Sequence, residues 1–116
     1  AIFPQYTYPM ARSRYARVAD VLGFAHGKSD AEKVEALVEG IAQLKKAINI
    51  PDSIQAWGVP EDEFLRNLDA LSEDAFDDQC TPANPRYPLI SEIRELYLKA
   101  YYGPKYKAAE GAPKII

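Results

Sequence analysis

Apolar residues recur at three- and four-residue steps along most of this chain, a period that predicts helices. Tyr15, Val18, Ala19 and Leu22 share one face of a first helix over about 10–22, and Gly23 supplies a left-handed stop. Residues 3–9 read as extended, because Pro4 and Pro9 argue against helix there. A capping box, Ser29-Asp-Ala-Glu32, opens the second helix. Val34, Leu37, Val38, Ile41, Leu44 and Ile48 carry its apolar stripe, and Pro51 ends any continuation. A third helix starts near Pro60, with Glu61, Asp62 and Glu63 favouring its positive end. Phe64, Leu65, Leu68 and Leu71 form its expected buried side, and Ser72 is placed as the cap of a short fourth helix. The last helix spans about 88–101, with Ile90, Ile93, Leu96, Tyr97 and Tyr101 on related faces. No alternating strand pattern, repeat or low-complexity tract interrupts this. The expected fold is all-α, about five helices around one core over 1–103, followed by a mobile tail over 104–116.

Composition changes this picture little. At 116 residues and 47% hydrophobic content, the chain makes one ordinary globular domain at most. A net charge of −3 gives no general attraction to nucleic acid or to an anionic membrane. Charge is uneven: Arg12, Arg14 and Arg17 make the first helix basic, and 61–78 is acidic. Either these are two solvated faces or one meets another part of a larger protein. No run approaches the roughly 20 apolar residues of a membrane span. A single cysteine cannot form an intrachain disulfide, which suits a reducing compartment and a cytoplasmic location. The chain opens on Ala1 without an initiator methionine and reads as a piece of a longer protein.

Candidate chemistry collects in AFDDQCTPANPRYPLISE, residues 75–92, between two helices. Pro82, Pro85 and Pro88 stiffen this connector, because each fixes its own φ and restricts the residue before it. A stiff loop loses less entropy when it holds a side chain against a ligand. Asp77 and Asp78 are adjacent and diverge on a helix, so they read as structural: capping, bonding loop backbone, or pairing with Arg86. Asn84 and Arg86 read as residues that hold the turn. His26, the only histidine, lies in an expected exposed loop. One histidine makes a two-histidine metal motif impossible, as it does a cysteine–histidine zinc pattern, and there is no glycine-rich phosphate loop. No complete catalytic constellation can be built, and no residue is assigned as catalytic, metal-binding or cofactor-binding.

The same loop resembles the C-terminal signature of the iron-containing alcohol dehydrogenases, closest to the alcohol dehydrogenase half of the bifunctional aldehyde-alcohol dehydrogenases. FPQYTYPMARSRYARVADVLG (3–23), EKVEALVEGIAQLKKAINIP (32–51) and LISEIRELYLKAYYG (89–103) fit the same family. The resemblance implies the C-terminal helical domain of a parent enzyme that interconverts acetaldehyde and ethanol with NAD and iron(II). It implies further partners: the parent's dinucleotide-binding domain, and other copies in a homo-oligomer or filament. The family's metal ligands and phosphate-binding glycines match no position here, so the 116 residues alone are expected to bind neither group and to be inactive. By motif match Cys80 lines the substrate cleft; the residue-level alternative is a small buried hydrophobe. Pro82 stands where the family usually has glycine, and a proline cannot take positive φ. The competing reading for the whole chain is a free-standing helical interaction module.

Overall fold

The structure is a computed structural model that describes residues 2–113, with side chains from residue 10 onward. Five α-helices and two short 3-10 turns make up its regular structure, and no strand occurs among the described residues. Contacts divide the chain into two compact units, one up to Ile50 and one from Pro51 onward.

The first unit is a pair of packed helices, α1 (Ile2–Val21) and α2 (Asp30–Ala47). The backbone over 3–9 is helical, which corrects the extended stretch expected there. Pro4 falls in the first turn, where a missing N–H breaks no helical bond. Pro9 stands two residues before Ala11, the residue that leaves helical torsions (φ −130°, ψ 23°) and kinks α1. The prolines therefore punctuate the helix without preventing it.

Ala16 and Ala19 of α1 are buried, as are Val34 and Leu37 of α2. Val18 and Leu22, expected on the inner face of α1, are exposed. The face that packs is the one with small alanines, which let two helix axes approach closely. Val38 and Ile41 are half-buried, while Leu44 and Ile48 are exposed, so the stripe on α2 is covered over its first half only. Lys33 donates to Asp20 at 2.7 Å across the pair. His26 is exposed, as expected, with Nδ1 3.9 Å from the same carboxylate. Gly23 ends the helical stretch at φ +76°.

The capping box forms as read. The Ser29 hydroxyl accepts the Glu32 N–H at 3.4 Å, and Glu32 accepts the Ser29 N–H at 2.9 Å. The Ser29 side chain, then the Ser29 amide, hold the Glu32 carboxyl below its ordinary value of 4.5. A carboxylate with a lowered pKa stabilises above its unfolded value, and that contribution is lost as pH falls through the folded one. The Glu32 carboxyl should therefore titrate below 4.5 by NMR and move up in Ser29→Ala, with a stability cost of about 1 kcal/mol for the lost cap.

The second unit is built on α4 (Glu61–Asp77) and α5 (Ile90–Tyr102). Before them a single turn, α3 (Ile54–Trp57), is capped by the Ser53 hydroxyl, which accepts the Ala56 N–H at 3.0 Å. Its four residues are too few to show a period. Phe64 and Leu68 of α4 meet Leu98 and Tyr101 of α5 in the core. The Phe64 and Tyr101 rings stack with centroids 4.1 Å apart, and the Tyr101 hydroxyl donates to the Val59 carbonyl at 2.8 Å. Leu65 and Leu71 are 45% and 38% exposed, correcting the broader buried side expected for α4. Ser72 is no cap: it sits fully buried inside one continuous helix and donates to the Leu68 carbonyl at 2.7 Å. That bond satisfies the hydroxyl in place, so the helix has no reason to break there.

α5 ends at Gly103, where a second 3-10 turn (Gly103–Lys105) begins. Tyr106 then folds back. Its ring stacks on Tyr102 at 5.7 Å, and its hydroxyl donates to the buried Glu95 at 2.8 Å. Burial first, and the bond to Glu95 second, push the Tyr106 hydroxyl up to about 12. A raised pKa means the contact contributes fully below the unfolded value near 10 and is lost as pH rises toward 12. Ultraviolet titration of the phenolate should show a late-ionising tyrosine that disappears in Tyr106→Phe.

Candidate functional site

The proline loop leaves α4 at Asp77 and enters α5 at Ile90. Side chains bonding to backbone hold it at both ends. Asp78 accepts the Cys80 N–H at 2.7 Å, the backbone-bonding role foreseen for one of the two aspartates. The Thr81 hydroxyl donates to the Ala75 carbonyl at 2.6 Å, tying the loop to the last turn of α4. Phe76 and Tyr87 meet edge to face at 5.8 Å. The Asn84 side-chain amide donates to the Arg86 carbonyl, so Asn84 does hold the turn. Arg86 donates to Glu92 at 2.8 Å, which ties the loop to α5.

Pro82 is the second residue of a 3-10 turn (Thr81–Ala83). Such a turn needs the negative φ that a proline ring imposes, so the residue suits its place. Cys80 immediately precedes the turn and is exposed. It is not a core residue of its unit.

Beside the loop lies a shallow depression of about 380 Å³ lined by Leu71, Asp74, Ala75, Asp78, Thr81 and Tyr97. Asp74 and Asp78 are one helical turn apart and make its rim acidic. Asp77 and Cys80 are not among its lining residues, so the structure does not gather the candidate residues into one pocket. Among the described residues no group of three histidine, cysteine, aspartate or glutamate side chains converges to hold a metal ion. The residues described here do not fit iron, and the sequence has no glycine-rich loop to fit a dinucleotide phosphate. No described helix is long and apolar enough to cross a membrane.

Two residues here hold the loop without a clear signal in the sequence. Glu92 holds both Arg86 and the Leu89 N–H, and Thr81 anchors the loop. The glutamate stands three positions after the cap of α5, the capping-box spacing, but that cap is Leu89 and the serine or threonine half of the signature is missing.

Residues 1–101 match the C-terminal part of the Fe-containing alcohol dehydrogenase family. The chain is 54% identical over 113 residues to a bifunctional aldehyde-alcohol dehydrogenase of Escherichia coli, covering 97% of this chain and 13% of that protein. An aldehyde-alcohol dehydrogenase of Clostridium acetobutylicum is 53% identical over 98 residues, 84% of this chain and 11% of that one. An NADPH-dependent butanol dehydrogenase of Clostridium saccharobutylicum is 34% identical over 90 residues, 78% of this chain and 23% of that one. The chain thus spans about an eighth of the bifunctional relatives.

Proposed function

We propose, for a chain that belongs to the Fe-containing alcohol dehydrogenase family as its C-terminal helical part, that it forms one wall of the alcohol dehydrogenase site of a larger bifunctional enzyme. The reaction is the reversible interconversion of acetaldehyde and ethanol. A hydride passes between the alcohol carbon and NAD, and the hydroxyl proton is released to solvent or base. Iron(II) and the nucleotide belong to the rest of the parent chain, the metal to helices upstream of this segment and the nucleotide to the dinucleotide-binding domain. The parent is a cytoplasmic homo-oligomer or filament. The carrying observation is the match over 1–101, with Cys80 exposed on a loop whose backbone is fixed from both sides. Cys80 narrows the substrate cleft and does not act as a nucleophile, since hydride transfer needs no covalent enzyme intermediate.

Two measurements test this. The purified 116-residue protein should show no NADH oxidation with acetaldehyde, whereas the full-length enzyme does; turnover by the short chain would refute the division of labour. In the full-length enzyme, Cys80→Trp should reduce kcat/KM for bulky alcohols about tenfold more than for ethanol, a change of about 1.4 kcal/mol in discrimination. Equal effects on all alcohols would remove Cys80 from the cleft.

A further inference from the structure

We infer that Glu92, through Arg86 and Asn84, is the positioning residue that sets where the Cys80 turn stands; the inference rests on the proposal that this turn borders the substrate cleft. One carboxylate has two uses. Its Oε2 accepts the Leu89 N–H at 2.9 Å and closes the first turn of α5, while its Oε1 accepts Arg86 Nη2 at 2.8 Å. The Arg86 carbonyl in turn accepts from the Asn84 side-chain amide. The Asn84 backbone N–H donates to the Thr81 carbonyl, and Thr81 follows Cys80 directly. Each bond shares a residue with the next, so a continuous chain of contacts runs from the start of α5 to the cysteine turn.

The prolines leave the placement of the loop undecided. Pro82, Pro85 and Pro88 make the connector stiff, but a stiff piece must still be anchored at both ends to hold a position. The Thr81 hydroxyl anchors its entry on Ala75 of α4. Arg86 and Glu92 anchor its exit on α5. Their side chains are only 24% and 13% exposed, so this charge-assisted pair is shielded from the water that weakens surface ion pairs. Cys80 contributes its own short tie to Asp78, which fixes the local turn but reaches neither α5 nor the rest of α4.

The test uses the full-length enzyme carrying this segment. Glu92→Gln keeps an acceptor oxygen for the Leu89 N–H and removes the charge that holds Arg86. Arg86→Lys keeps the charge and removes the fork. Each should raise the KM for ethanol about tenfold with kcat within about twofold, the pattern of binding lost equally from ground state and transition state when the cleft wall shifts. The double variant should lose no more than either single one, because both break the same link. Thermal melts establish that each variant is folded, and if Glu92→Gln is not, Arg86→Lys carries the test. Wild-type kinetics in both folded variants, alongside altered alcohol selectivity in Cys80→Trp, would reduce Glu92 to a helix cap and overturn the inference while leaving the cleft reading intact. Additive losses in the double variant would likewise break the link. No selectivity change in Cys80→Trp either would remove the cleft reading itself.

Discussion

Leu68→Ala is expected to destabilise the second unit by about 3–5 kcal/mol, read as a fall in denaturation midpoint at constant slope. Leu68 is fully buried between Phe64, Leu98 and Tyr101, so truncation leaves a cavity as well as removing apolar area. The cost falls at the upper end of the range because the neighbours cannot easily collapse into the gap. Phe64 and Tyr101 are locked ring on ring, and Tyr101 is further tied by its hydroxyl to Val59. Leu65→Ala, three positions earlier on the same helix, should cost under about 1 kcal/mol, because Leu65 is 45% exposed. Equal losses at the two positions would mean that α4 packs through a different face.

Gly103→Ala should cost roughly 2–5 kcal/mol, for two separable reasons. Its torsions, φ +71° and ψ −151°, lie in a region that essentially only glycine occupies. A Cβ there would stand 2.9 Å from the Ser53 Cβ and 3.2 Å from the Asp52 carbonyl oxygen. Both neighbours belong to the segment that caps α3 and cannot rotate away as a side-chain tip would. Gly23→Ala separates the two effects: φ is +76° there too, but nothing lies within 4 Å of the added Cβ. It should cost only about 1–2 kcal/mol, the torsional part. Comparable losses at Gly23 and Gly103 would show that crowding at Gly103 is relieved by backbone movement.

Much of this fold was legible where the signal is local. The Ser29–Glu32 box, the left-handed stop at Gly23 and the start of α4 after Pro60 all depend on residues within one helical turn of each other. The all-α class follows from the same local patterns, and the family from motif stretches over most of the chain. The misreadings have a common cause. Pro4, Pro9 and Ser72 are weak helix residues that a helix tolerates when position or a back-bond meets their needs. In α4, periodicity marks a wide apolar face, of which α5 covers only the part around Phe64 and Leu68.

The candidate loop divides in the same way. Its stiffness and the backbone-bonding role of one aspartate could be read from Pro82, Pro85, Pro88 and Asp78. The exposure of Cys80, the pairing of Arg86 with Glu92 and the return of Tyr106 onto Glu95 could not. The sequence by itself determined which stretches are helical and where most of them stop, because caps, prolines and apolar periods act over a few residues; its motif stretches carry the family resemblance. Only the tertiary structure decided which apolar side chains are buried, why position 103 must be glycine and what anchors the proline loop. Those outcomes depend on groups brought together from different helices and turns, which a local pattern does not specify.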